Sequence, residues 1–374
     1  MDGRRLTVLQ MLPALDSGGV ERGTLEIGRA LVQAGHRSMV ISNGGRLVPQ
    51  LEQQGSEHIR WQVTKRSYLF VLRYLWRLRD LLRSERVDVI HVRSRHPAWL
   101  AWLAWRGMSP DHRPRFVTTA HGLYSVNAYS AVMARGERVI AISQTVRDYL
   151  LRNYPRIVRP DTIDVIFRGI DPQEYTPDFR PAPEWRAQWA SDFPQLQGRP
   201  IITLPGRLTR LKGHADFLRL LEIVRRDVPE VMGLIAGGAD PKRQGYELEL
   251  RREVAARGLE KQVVFTGHRS DLREILSISQ VSLSLTSNPP EAFGRTVVEA
   301  LSLGTPVVGY DHAGAGEILK QLFPAGAVPP GDVGAAAEQT TRVLLGGEVE
   351  IRPNQVFTSR QMTDQTLALY RRVA

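Results

Sequence analysis

The sequence predicts an α/β protein made of two doubly wound domains. Three observations carry that prediction. Short apolar strand patterns alternate with helical patterns through the first half, punctuated by Gly and Pro. The same alternation restarts at residue 201. The length of 374 residues, with 42% hydrophobic and 24% charged residues, suits two globular domains with sizeable cores. It excludes a disordered or fibrous chain.

The elements follow in order. Residues 5–12 (RLTVLQML) read as a first strand, and residues 20–34 as a helix stopped by Gly35. Residues 37–42 are the second strand. Residues 66–86 form a helix, 87–92 a strand, and 98–106 a Trp-rich helix. Strands over 115–121 and 138–143 complete the first half. Residues 168–185 carry four Pro and read as an inter-domain connection, followed by a helical or loose stretch through Gln197. The second half has strands over 199–208, 231–238, 262–267, 280–287 and 305–311. Its helices are expected over 214–227, 245–257, 271–277, 296–303 and, after Pro353, 358–372. In open sheets of this kind ligands sit beyond the carboxyl ends of the strands, so chemistry is sought in the loops there.

Composition narrows the function. There is no cysteine, which excludes disulfides, thiolate zinc sites and a Cys nucleophile. No apolar run approaches the roughly 18–20 residues of a membrane span. The basic, then apolar start runs into Pro13 and a Gly pair without a small-residue cleavage site, so it reads as a strand and not as a signal peptide. A soluble, cytoplasmic protein is expected. Its net charge is +11, and residues 60–115 hold 13 basic against four acidic residues, together with five of the seven Trp. Basic residues mixed with Trp and Tyr suit an anionic membrane surface. At about 100° per residue, Val71, Leu75, Leu78 and Leu82 line the core side of the 66–86 helix. Arg66, Arg73 and Arg77 line a roughly opposite face as the candidate lipid contact; a plain solvated basic face is the alternative. No recognition motif for nucleic acid accompanies this charge.

Four segments combine residue types suited to chemistry. Asp16-Ser17-Gly18-Gly19-Val20-Glu21 lies between the first strand and a helix, where glycines and free N–H groups favour a phosphate. It is no Walker loop, and a tight connection explains it equally well. Gly206 to Gly213 places Arg207 and Lys212 between a strand and a helix, where two cations can neutralise a diphosphate. Glu291-Ala292-Phe293-Gly294-Arg295 continues to Glu299, giving two carboxylates eight residues apart that can accept sugar hydroxyls. Paired carboxylates also suit a glycosidase or a metal site. His121 ends an apolar strand in Thr118-Thr119-Ala120-His121-Gly122. No histidine spacing or acidic loop marks a metal site.

Together and in this order, these segments resemble the retaining glycosyltransferases of family 4. The resemblance covers nearly the whole chain: Ser17–Glu21, Thr119–Gly122, Ala141–Ser143, Arg168–Asp171, Gly206–Leu208, Lys212-Gly213 and Pro290–Val308. It implies the GT-B fold of two Rossmann-like domains facing a central cleft. Residues 1–170 would bind the acceptor, residues 171–357 the nucleotide sugar, and residues 358–374 would return to the first domain. Arg207 and Lys212 match the family's diphosphate-binding pair, and Glu299 the Glu on the ribose hydroxyls. Glu291 matches the Glu near the donor sugar, beside the N–H groups of Ala292, Phe293 and Gly294. Gly18 and Gly19 match the loop closing on the phosphates, and His121 a His near the reacting sugar. Where many members read Pro-Glu-Gly-Phe-Gly, this chain has Ala292, and Arg295 is expected to add a cation near the phosphates.

The resemblance implies transfer of a hexose-type sugar from a nucleotide-diphosphate donor, a UDP-sugar foremost, by a metal-independent front-face mechanism. No bound cofactor is expected. The opening LPALDSGGVERGTLEIGRAL is similar to bacterial transferases of lipopolysaccharide core and other envelope glycans. The expected acceptor is such a glycan or glycolipid, and the expected location the inner face of the cytoplasmic membrane. Two other readings stand beside this one. They are a GT-B sugar-nucleotide epimerase, and a non-catalytic GT-B-like protein holding membrane or nucleic acid through its basic surface.

Overall fold

The computed structural model describes residues 4–16, 18–64, 67–239 and 245–374. Arg66 and Ser17 therefore lie outside the described residues. The chain divides into two compact units, Met1–Arg168 with Ser359–Ala374, and Gly169–Thr358.

The first unit runs β1 (Thr7–Met11), α1 (Gly19–Gln33), β2 (Arg37–Ser42), α2 (Val48–Gln53), β3 (Glu57–Arg60), α3 (Tyr68–Ser84), β4 (Val89–Val92), α4 (Arg95–Arg106), β5 (Arg115–Ala120), β6 (Arg138–Ala141), α5 (Gln144–Asn153) and β7 (Ile163–Val165). Its sheet has the order β3-β2-β1-β4-β5-β6-β7, and every pairing is parallel. Both faces of the sheet are covered, so its central strands are apolar on successive residues. Val8 and Val89 face one layer with Ile27, Leu31, Leu367 and Tyr370. Leu9 and Ile90 face the other layer with Leu78, Leu82, Leu100 and Trp105.

The second unit runs α6 (Pro183–Asp192), β8 (Ile201–Pro205), α7 (His214–Val224), β9 (Met232–Ala236), α8 (Gly245–Ala256), β10 (Val263–Phe265), α9 (Leu272–Ser277), β11 (Val281–Ser284), α10 (Arg295–Ser302), β12 (Val307–Tyr310), α11 (Ala313–Leu322), β13 (Ala327–Val328) and α12 (Val333–Leu344). Its sheet is again all parallel, ordered β10-β9-β8-β11-β12-β13. Ile202 packs on one side with Phe217, Leu221 and Ala336, and Ile201 on the other with Trp189 and Ile275. A last helix, α13 (Ser359–Val373), belongs to the first unit, where Tyr370 is fully buried.

Several elements differ from the sequence expectation. The strand expected through residue 143 stops at Ala141, because Ser143 caps α5 with its hydroxyl accepting the Val146 N–H at 3.2 Å. The Trp-rich helix starts at Arg95; Pro97 falls in its first turn, where no intrahelical bond is lost. On α3 the fully packed residues are Tyr74, Leu78 and Leu82, while Val71 and Leu75 are only partly covered.

Candidate functional site

In each sheet the chain order reverses at one point. Strands run outward from β1 to β3 on one side and from β4 to β7 on the other; in the second unit the reversal falls between β8 and β11. Loops leaving adjacent strands at such a point diverge and leave a crevice for a ligand. The sequence-predicted residues of the second unit lie on the loops after β8 and β11.

After β8 the chain turns at Gly206, with φ of +139°, and passes through a short 3-10 turn at Arg210–Lys212. Gly213, at φ +74°, starts α7 against β11: a Cβ there would lie 2.3 Å from the Leu285 carbonyl oxygen. Glycine is therefore required by space and by backbone conformation. This close approach brings Lys212 to the β11 loop, where its Nζ donates to Glu291 Oε2 at 2.8 Å. Both side chains are about three-quarters covered. Arg207 is exposed and makes no hydrogen bond or ion pair among the described residues.

The loop with Glu291 is pressed onto the start of α11. The Gly314 N–H donates to the Glu291 carbonyl at 3.0 Å, and a Cβ on Gly314 would lie 2.5 Å from the Ala292 oxygen. Phe293 is buried and meets Phe357 edge-on, which pins the loop, and Gly294 caps α10 at φ +91°. Glu299 sits one turn into α10 and is 5% exposed. Its Oε1 accepts from Arg295 Nε at 2.8 Å and from the Tyr175 hydroxyl at 3.3 Å. Arg295, expected as a further cation near phosphates, is engaged by this carboxylate one helical turn away.

In the first unit, Gly18 caps α1 at φ +130°, and Gly18 and Gly19 are both exposed. Nothing lies within 4 Å of a Cβ built on Gly19, whereas one built on Gly18 would lie 2.7 Å from Glu21 Oε2, so this carboxylate lies beside the N-cap of the 15-residue helix. Such an N-terminus carries partial positive charge. Burial raises the Glu21 carboxyl; its own backbone hydrogen bond opposes this, and Asp16 adds to it. The buried Arg168 guanidinium donates to the Gly19 carbonyl.

His121 follows β5, and its backbone N–H donates to the Tyr124 hydroxyl at 3.1 Å. Its Nε2 is enclosed and has no hydrogen-bond partner among the described residues. Burial drives its imidazole well below the ordinary value, and the positive charges of Arg168 and Arg93 push the same way. A neutral imidazole can accept from or donate to a hydroxyl, depending on the tautomer.

Next to it lies a buried polar cluster that is not among the residues predicted from sequence. His91 Nδ1 meets the Tyr370 hydroxyl at 2.5 Å, and His91 Nε2 meets Thr119 Oγ1 at 2.6 Å. Arg93, 3% exposed, donates to Gln10 Oε1 at 3.0 Å. The signal was present: a His and an Arg in or next to an otherwise apolar central strand have to be satisfied by partners. Of the expected membrane contacts, Arg73 and Arg77 are exposed on α3, and the Arg77 guanidinium lies 4.3 Å over the Trp61 ring.

Comparison with known proteins identifies the class. Residues 17–174 match the model of Glycosyltransferase Family 4, and residues 186–366 that of Glycosyl transferases group 1. A glycosyltransferase from Rickettsia africae ESF-5 has the same fold, with a TM-score of 0.85 and 27% identity over 99% of this chain and 98% of that one. HepE of Anabaena, solved with UDP and glucose, superposes with a TM-score of 0.77 at 19% identity over 98% and 100% of the two chains. The alpha-maltose-1-phosphate synthase of Mycolicibacterium smegmatis is 28% identical over 63% of this chain; the match spans 62% of that relative's length. The chain is thus a transferase acting on sugars, with two Rossmann-like domains of the GT-B kind. More narrowly, it is a glycosyltransferase of the family 4 type.

Proposed function

We propose that the protein moves a hexose-type sugar from a nucleotide-diphosphate donor, a UDP-sugar foremost, to a hydroxyl of an envelope glycan or glycolipid. Lipopolysaccharide core is the acceptor its opening segment favours, and the anomeric configuration is retained. The observation that carries this reading is the meeting of Lys212 and Glu291 from adjacent strand ends at the reversal point of the second sheet. One supplies a cation for a diphosphate, the other an acceptor for sugar hydroxyls, on a loop whose amides lie alongside. The solved Anabaena neighbour with UDP and glucose supports a uridine donor.

In this mechanism Arg207 and Lys212 meet the charge that develops on the leaving diphosphate, which is electrostatic catalysis by fixed donors. Gly18 and Gly19 contribute amides to the phosphates. Glu299 takes the ribose hydroxyls, and Glu291 with the amides of Ala292, Phe293 and Gly294 takes the transferred sugar. His121, kept neutral by its surroundings, holds a sugar hydroxyl. The leaving phosphate accepts the acceptor's proton on the face it departs from, so these side chains need supply no nucleophile and the charge balance needs no metal.

A panel of UDP-, GDP- and ADP-sugars, read by slow hydrolysis and by transfer, tests the donor. Lys212→Ala and Arg207→Ala are each expected to lower transfer at subsaturating donor by at least roughly tenfold, which corresponds to about 1.4 kcal/mol. Near-normal rates in both variants would remove the diphosphate assignment. Proton NMR of the first-formed product reads the anomer, and inversion would end the front-face mechanism.

A further inference from the structure

We propose that α3 carries a membrane-docking wedge, Tyr68, Leu69, Leu72 and Trp76, which seats the protein on an anionic lipid surface. Tyr68 is 76% exposed, Leu69 77% and Trp76 67%, and Leu72 is exposed beside them. At about 100° per residue, these four lie within roughly 100° of the helix circumference. The arc is separate from the packed side of Tyr74, Leu78 and Leu82. Leu103, exposed on the neighbouring α4, adds to it.

From sequence, basic residues mixed with Trp and Tyr suit an anionic membrane, and on this helix the expected contact is Arg66, Arg73 and Arg77. The structure gives them a second part. Arg73 and Arg77 are exposed on the flank of the wedge farther from the core, and Arg83 is exposed at the penultimate position of the helix. Within the arc itself Arg79 is turned toward α4, its Nε donating to the Ala104 carbonyl at 3.0 Å. Asp80 is the acidic residue exposed on the same helix.

Several features favour a bilayer as the occupant. A protein partner would face the same apolar residues, yet the exposed charge of this helix is predominantly positive, with Arg73, Arg77 and Arg83 against Asp80. Arg meets lipid phosphates, Trp and Tyr settle at headgroup depth, and Leu enters the acyl boundary. Among the described residues no helix is long and apolar enough to cross a membrane, so this contact is peripheral. It stands whatever the sugar donor is.

The full chain is sedimented with vesicles of phosphatidylcholine alone or mixed with phosphatidylglycerol. It is expected to bind the mixed vesicles at low salt and the neutral ones far less. The double variant Leu69→Ser/Trp76→Ser should lower partitioning at least roughly tenfold, about what two lost apolar anchors imply. The pair Arg73→Glu/Arg77→Glu should lower it comparably and remove the salt dependence. Trp76→Phe should abolish a fluorescence blue shift that the wild type shows on adding vesicles. Unchanged circular dichroism and donor hydrolysis in the variants separate the surface from the site. Absence of binding to anionic vesicles, or binding undiminished in Leu69→Ser/Trp76→Ser, overturns the proposal. So does a solution dimer that the same variant dissolves while vesicles go unbound.

Discussion

Replacing Glu291 by Gln should tighten the binding of UDP while slowing sugar transfer. Without donor, the Lys212 ammonium is held at 2.8 Å by the Glu291 carboxylate. At that separation two unit charges attract by roughly 1.5 kcal/mol at the dielectric constant of water and roughly 6 kcal/mol at an effective 20. Both side chains keep about a quarter of their surface in solvent, so screening and desolvation reduce this. The net value for such a pair is about 1 kcal/mol or less. A diphosphate that recruits Lys212 has to offset this pairing and also approach the carboxylate. Glu291→Gln removes both obstacles, so the dissociation constant of UDP should fall by up to roughly fivefold. Transfer should drop, because the amide is a weaker acceptor for a sugar hydroxyl than the carboxylate. Calorimetry with UDP reads the first effect, and initial rates at saturating donor the second. In a Lys212→Met background the gain in UDP affinity should shrink. Weaker UDP binding in Glu291→Gln, or the same gain with and without Lys212, would refute the competition.

Other expected outcomes follow from packing and protonation. A Cβ on Gly23 would lie 2.0 Å from Nη1 and 2.6 Å from Cζ of Arg168, whose buried guanidinium is tied to the Gly19 carbonyl. Gly23→Ala should therefore cost about 1–3 kcal/mol by overpacking, and Arg168→Ala should recover part of it in the double variant; urea midpoints of the first unit's transition check both. Burial holds His91 and His121 well below the ordinary imidazole value and His214 at about 4. Below about pH 6.5 the unfolded chain then binds more protons than the fold, so stability is full above that pH and falls below it. The loss approaches about 1.4 kcal/mol per pH unit for each histidine, and denaturant midpoints between about pH 7 and about pH 5 measure it. For the same reason the acidic limb of transfer that reports His121 should lie well below pH 6.5. A limb near that value that disappears in His121→Ala would contradict a neutral role.

The legible parts of the fold are those with two buried faces. Residues 5–12 and 87–92 are apolar on successive positions because β1 and β4 lie between two helical layers, and no partner needs to be known to see it. Edge elements give no such signal. β3 is the polar run Glu57–Arg60, half open to solvent, and β7 and β13 are three and two residues long. α3 shows a different limit. Its periodicity is plain, but apolar residues cover two adjacent arcs, and only the packing of Tyr74, Leu78 and Leu82 decides which one faces the core. At the candidate site, the glycines and charges were legible because they follow strands. Their pairings were not, since Lys212 and Glu291 are 79 residues apart, and His91 and Tyr370 are 279 apart. The bond between Arg295 and Glu299 was within reach of spacing alone, being one helical turn.

Those pairings suggest an order of events under the proposed function. Glu291 and Glu299 each hold a cation in the free protein, Lys212 and Arg295 respectively, while Arg207 is exposed with no such partner among the described residues. An arriving diphosphate would meet Arg207 first, at no cost in broken pairs. Lys212 would transfer to it next, and only then would Glu291 become available to a hydroxyl. The carboxylate needed by the sugar is thus released by the phosphate that carries the sugar. A free hexose has no group to displace Lys212 and should bind poorly, and adding UDP together with the free sugar should improve its binding. Equal hexose affinity with and without UDP would mean that the two carboxylates are occupied independently of the phosphate.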